Sequence, residues 1–200
     1  MKFDNLQKSS VEIIGDIKEN KVGIRSEDAE HLIMVLSSNL YSNPIGSTVR
    51  EIVSNAWDAH VEAGNPDPVI ITFYKTIDNT FQIIFQDFGV GLSPERFDSV
   101  YKNIGASTKR DSNGQIGGFG IGKFAPLSYT NMVTIISNYE GKQYLYIIHK
   151  DGTSVSIDLI TESDTQEPNG VSIQINLEQE ADLPGFTTAI LSQLSYFENI

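Results

Sequence analysis

Residues 132–160 read MVTIISNYEGKQYLYIIHKDGTSVSIDLI. Within them, Met132–Ser137, Gln143–His149 and Thr153–Ile160 are runs of β-branched and aromatic residues alternating with polar ones. That is the composition of half-buried strands. The breaks are short: Tyr139-Glu140-Gly141-Lys142 and Lys150-Asp151-Gly152. Glycine supplies the positive φ that a tight hairpin needs, and strands joined by so few residues run antiparallel. A further strand is predicted at Gly170–Leu177, after an acidic connection, TESDTQEPN, over 161–169.

Two more strands are predicted upstream, Val69–Lys75 and Thr80–Gln86, as a hairpin across Asp78-Asn79. Helices lie around them. One begins at Ser26, with Glu27 and Asp28 at the positive end of its dipole, and runs to about Ser38. After a loop, NLYSNPIGS, Ser47-Thr48 leads into a second helix that ends near Gly64, before the stop signal NPDP. Ser93-Pro94 opens a short helix to about Tyr101, and others are predicted at Lys123–Tyr129 and Phe186–Leu194. Residues 1–25 fit either two short strands or an arm. Helices placed before and within such a run of strands cover one face of the sheet. The expected fold class is α+β, a two-layer α/β sandwich with a mostly antiparallel sheet.

Two hundred residues suit one domain, or the leading part of a longer protein. The net charge of −12 argues against a broad nucleic-acid surface, which needs clustered lysine and arginine. It leaves room for a nucleotide, which backbone N–H groups and one cation can hold. The absence of cysteine excludes disulfides, thiolate zinc sites and cysteine nucleophiles. His31, His60 and His149 are scattered without zinc-site spacing. No apolar run reaches the length of a transmembrane segment, and the N-terminus lacks the apolar core of a signal peptide. A cytoplasmic protein is expected.

Three motifs carry chemistry. The first is REIVSNAWDA, residues 50–59. On a helix, with Glu51 at zero, Asn55 falls at about 40° and Asp58 at about 340°. An acid, an amide and an acid then share one stripe, able to hold a divalent cation and orient a water. Val49, Ile52, Val53, Ala56 and Ala59 are assigned to the other side. Magnesium prefers oxygen ligands, which suits the Asn55 carbonyl. Glu51, one turn earlier, is placed to accept a proton from an attacking water. Asp58 either reaches the base side through water or braces the site.

The second motif is Asp87-x-Gly89-x-Gly91, leaving a strand. A carboxylate there can accept a hydrogen bond from an exocyclic amine such as that of adenine, and glycine lets a ligand approach closely. The third is Gly117-Gly118-Phe119-Gly120-Ile121-Gly122-Lys123, at a predicted helix start. Glycines there free N–H groups to converge on an anion, with a triphosphate the natural guest. The string satisfies G-x-x-x-x-G-K, but Phe124 stands where a Walker loop carries Ser or Thr, and no strand leads into it. The loop over 103–122 is long for a compact domain, as functional lids are.

The ordered set E-x-x-x-N-A-x-D-A, D-x-G-x-G and I-G-G-F-G-I-G-K resembles the GHKL ATPase superfamily of gyrase B, Hsp90, MutL and the histidine kinases. SSNLYSNPIGSTVREIVSNAWDAH (37–60), DFGVG and IGGFGIGKFAPLSYT resemble more narrowly the rIIA-like proteins of tailed bacteriophages. The resemblance implies a Bergerat-type fold that binds ATP with Mg2+ under a lid over 103–122. It implies Glu51 as general base, Asn55 as magnesium ligand and Asp87 as adenine reader. Gly91 then approaches the base, while Gly118, Gly120 and Gly122 cradle phosphates, with Lys109 and Lys123 as further phosphate contacts. Where gyrase-like members carry Gly-Thr near the adenine, this chain has Gly170-Val171-Ser172, with valine in the threonine's place. Gyrase-like members dimerise through N-terminal arms, and residues 1–25 are a candidate arm. A protein partner of unknown identity and peripheral membrane association fit the phage likeness, with the host cytoplasm as the site. Two alternatives stay open: a kinase-type GHKL domain, and a non-catalytic nucleotide-binding interaction module.

Overall fold

The computed structural model describes residues 42–101, 122–151 and 154–197. The expected arm over 1–25, the expected helix over 26–38 and residues 103–121 of the expected lid lie outside them.

Helix α1 spans Pro44–Ala63. It starts earlier than Ser47 because Asn43 and Pro44 form its N-terminus: the Gly46 N–H donates to Asn43 Oδ1 at 2.9 Å, and proline sits where no N–H is needed. Gly64, at φ 62°, ends it in the left-handed conformation. Strands β1 (Ile70–Lys75) and β2 (Phe81–Gln86) form the expected hairpin. Helix α2 spans Pro94–Tyr101, and the Ser93 Oγ accepts the Arg96 N–H at 3.2 Å. Gly122–Ser128 forms a 3-10 helix where an α-helix was expected over 123–129. Pro126 lies inside it and has no N–H for an α-helical ladder.

Strands β3 (Met132–Tyr139), β4 (Lys142–Asp151), β5 (Ser154–Asp164) and β6 (Gly170–Asn176) follow. The first half of the expected acidic connection is therefore strand. Lys142 explains part of this: its Nζ lies 2.7 Å from Asp164 Oδ1 and 3.7 Å from Glu162 Oε1 across the β4–β5 ladder. Helix α3 covers Leu183–Leu194, again starting earlier than expected, with a proline in its first turn.

The six strands form one antiparallel sheet in the order β1-β2-β6-β3-β4-β5. One face carries a continuous apolar row. Ile83 pairs with Ile175, Phe85 with Ile173, Ile173 with Ile135, and Ile135 with Tyr146. Two clusters cover it. Val49, Ile52 and Val53 of α1 and Phe186 and Ile190 of α3 pack with Ile83, Phe85 and Ile175. Phe97 and Tyr101 of α2, with Phe124 and Leu127, pack over Ile135, Tyr146, Ile148 and Ile157. Each fully buried phenylalanine contributes roughly 1.5–3 kcal/mol of apolar burial. The two-layer α+β architecture read from the strand patterning is thus the one observed.

Candidate functional site

The site lies at one end of the sheet, along the seam between the two clusters. Asp87 follows β2, and Gly170 begins β6. Asn138, near the end of β3, pairs with Gly170. The loop from Asp87 to Leu92 crosses these strand ends.

Asp87 is buried. Its Oδ1 accepts the Gly89 N–H at 2.9 Å and the Val171 N–H at 3.1 Å. Both bonds fall on one oxygen, so Oδ2 takes no backbone donor from the described residues. Burial pushes the Asp87 carboxyl above its ordinary value, and the two N–H donors pull the other way. Val171 stands where the family pattern has threonine. In this chain a backbone N–H at that position reaches the carboxylate, and no hydroxyl is needed for that bond.

The glycines are matched to close approaches. A Cβ on Gly91, at φ 71°, would overlap the Asn138 carbonyl oxygen. One on Gly170, at φ 154°, would overlap the Asp87 carbonyl oxygen. One on Gly89 would come within 2.5 Å of Ala59 Cβ and 2.8 Å of its carbonyl oxygen. Ala59, assigned to the apolar side of α1, therefore receives the D-x-G-x-G loop.

Three side chains bracket that loop at its ends. At Phe88, the N–H donates to His60 Nε2 at 2.8 Å, and the carbonyl accepts from Asn65 Nδ2 at 2.8 Å. The first bond fixes His60 with its proton on Nδ1. At Leu92, the N–H donates to Ser137 Oγ at 2.8 Å, and the Ser137 hydroxyl donates back to the Leu92 carbonyl at 3.0 Å. Ser137 has no exposed surface. Sequence reasoning missed these residues as parts of the site, because their partners lie 28, 23 and 45 positions away.

At the other end of α1 stands Glu51. A Cβ on Gly122 would overlap Glu51 Oε2 and come within 2.6 Å of its Cδ. The last glycine of the third motif thus lies against the carboxylate of the first. Arg50 flanks the other oxygen, with its guanidinium 3.6 Å from Glu51 Oε1. Thr48, one turn before Glu51, is buried, and its Oγ1 donates to the Ala125 carbonyl at 3.4 Å, tying the 3-10 helix to α1. Asn55 is half-buried, and Asp58 is buried. Trp57 packs at 5.6 Å on Phe197.

Ala59 and Glu51 are eight residues apart on α1, about 12 Å along its axis. One helix thus receives the Asp87 loop near its C-terminal end and Gly122 two turns earlier. Asn55 lies between. Glu51, Asn55 and Asp58 offer only oxygen acceptors to a cation, the donor set magnesium takes, and Asp87 Oδ2 faces no backbone donor among the described residues. The residues present fit a magnesium–nucleotide ligand.

Lys123 is the expected phosphate contact next to Gly122. Its ammonium donates to the Val100 carbonyl of α2. It lies 5.9 Å from the Tyr101 ring centroid and 5.4 Å from that of Phe124. Burial pushes it down to about 8. Lys109, Gly117, Gly118, Phe119, Gly120 and Ile121 lie outside the described residues. Among the described residues no helix is long and apolar enough to cross a membrane.

Residues 41–179 match the family described as histidine kinase-, DNA gyrase B- and HSP90-like ATPase. Similar curated proteins include the chaperone protein HtpG of Rickettsia akari (strain Hartford), 26% identical over 180 residues, or 78% of this chain and 28% of the relative. HtpG of Rickettsia canadensis (strain McKiel) is 28% identical over 181 residues, with the same shares. HtpG of Rickettsia bellii (strain OSU 85-389) is 26% identical over 190 residues, 83% of this chain and 30% of the relative. The matched region spans less than a third of the length of these relatives.

Proposed function

The chain belongs to the histidine kinase-, DNA gyrase B- and HSP90-like ATPase family, and from that premise we propose that it binds ATP with magnesium and hydrolyses it to ADP and phosphate. The observation that carries this reading is the docking of two glycine motifs on one helix, Gly89 on Ala59 and Gly122 on Glu51.

In this reading Asp87 selects the base. Its Oδ1 is held by Gly89 and Val171, so Oδ2 accepts from an exocyclic amine. Asn55 offers its carbonyl oxygen to magnesium, and Asp58 braces the stripe or reaches the ligand through water. Gly118, Gly120 and Gly122 turn N–H groups towards phosphate oxygens. Magnesium held there would supply positive charge to offset that of the phosphate oxygens. Glu51 accepts the proton of the attacking water, and its contact with Gly122 keeps its carboxylate beside the phosphate loop. Closure of 103–122 excludes water and drives a conformational cycle.

The finer assignment is to an rIIA-like phage protein acting in the host cytoplasm, with dimerisation through residues 1–25. It is supported by the likeness of segments 37–60, 87–91 and 116–130. The test is competition calorimetry with ATP, GTP and AMP, in magnesium and in EDTA. Tighter binding of ATP than GTP, and loss of affinity for ATP but not AMP in EDTA, is the expected result. Equal binding of ATP and GTP would remove Asp87 as the base reader.

A further inference from the structure

Lys123 is a cation beside the glycine loop, yet the structure turns it towards the protein. Helix α2 carries Val100 one residue before its last described position. The Lys123 ammonium donates to the Val100 carbonyl. The same ammonium lies over the rings of Tyr101 and Phe124, which meet edge to face at 6.2 Å between centroids. A charge held by a backbone carbonyl and two rings is tied in place.

Its backbone neighbour is Gly122, the residue against Glu51. The 3-10 helix that begins there is anchored on its α1 side by Thr48 to Ala125. Lys123 supplies the anchor on the α2 side. Between the two, Gly122 is fixed at contact distance from the carboxylate. Released from Val100, the Gly122 backbone could move away, and Glu51 would gain the room that its contact with Gly122 now denies.

We propose that Lys123 is a positioning residue for Glu51: by bonding the Val100 carbonyl it holds Gly122 against the Glu51 carboxylate, and it does not bind phosphate. The effect on turnover rests on the ATPase reading above; the effect on Gly122 and Glu51 does not.

The experiment compares wild type, Lys123→Met and Lys123→Arg. Methionine keeps the apolar stem and loses the donors; arginine keeps cation and donors. In nucleotide-free protein, the NMR resonances of the Gly122 amide and the Glu51 carboxyl are read, the latter assigned with Glu51→Gln. Both move in Lys123→Met and return to within line width of wild type in Lys123→Arg. Should Lys123→Met fail to fold, Lys123→Leu, which also lacks donors, is read in its place. Unmoved resonances in that variant overturn the proposal. In the ATPase assay, Lys123→Met lowers kcat about tenfold with Kd for ATP within twofold, and arginine rescues it. A tenfold loss of affinity for ATP but not AMP would make Lys123 a phosphate ligand and overturn the proposal. If wild type binds no nucleotide, the ATPase reading fails, and the two resonances still decide the role of Lys123.

Discussion

Gly122 and Glu51 touch: the glycine backbone occupies the space beside the carboxylate so closely that any side chain at 122 would collide with Oε2. This contact joins a motif on helix α1 to one 71 positions later in the sequence. It also gives the glycine a role separate from any bound anion. Gly122 is small because the carboxylate beside it must stay where it is.

Gly122→Ala is therefore expected to displace Glu51. Displacement of a reacting group by about 1 Å can cost about 100-fold in rate, and that is the loss of turnover expected. Binding of AMP, which is held at the Asp87 end, should stay within twofold. Steady-state phosphate release and calorimetry on the same variant check both.

Asp87→Asn tests the base reader. The amide keeps an oxygen to accept the N–H groups of Gly89 and Val171, so folding should be spared. A hydrogen bond to a charged group is worth about 1.5–3 kcal/mol, so affinity for ATP should fall roughly 10- to 100-fold. Burial raises the Asp87 carboxyl. Its charge thus costs stability at neutral pH, a cost relieved as pH falls through the raised value. The variant should melt at or above the wild-type temperature, and wild-type ATP binding should weaken on acidification sooner than for an ordinary aspartate.

Ser137→Ala leaves the half-buried Leu92 N–H without its partner. A fully buried unsatisfied donor costs about 1–3 kcal/mol, so a loss at the low end of that range is expected, which urea unfolding should report. Because the bracket fixes the loop end beyond Gly91, ATP affinity should fall as well.

Lys123 makes a pH prediction. Burial lowers its ammonium to about 8 from an ordinary 10.5. Between those values the unfolded chain binds more protons than the folded one, so stability rises with pH. Above pH 10 the raised phenols of Tyr101 and Tyr146 act in the opposite direction, because the unfolded chain ionises first. The useful window is pH 8 to 9.5. Wild-type unfolding free energy, minus that of Lys123→Met, should climb across it. A flat difference would contradict a buried, charge-destabilised lysine.

What the sequence made legible follows from the range of the interactions. Alternating residues around Tyr139-Glu140-Gly141-Lys142 announce a hairpin because side chains alternate along a strand, and Glu140 and Gly141 do take positive φ, 48° and 78°. The break out of β2 at Asp87-Phe88-Gly89 was legible because glycines after a strand mark a loop. The insertion of β6 between β2 and β3 was not, because Ile83 finds Ile175 by packing across the whole chain, and no local pattern encodes the choice. The His60 and Ser137 brackets failed for the same reason. His60 was weighed only as a zinc ligand, and Ser137 only as a strand residue. The family resemblance implied Lys123 as a phosphate contact; its bond to Val100 depends on where α2 lies in space, which no local pattern encodes.

The central claim, that Glu51 on α1 serves a magnesium–ATP site completed by Asp87 and Gly122, is tested most directly by ATP binding and phosphate release measured together on wild type and Glu51→Ala. The account predicts magnesium-dependent ATP binding by both proteins and phosphate release by wild type alone. Binding by neither would contradict the site itself, and equal release by both would contradict the role of Glu51.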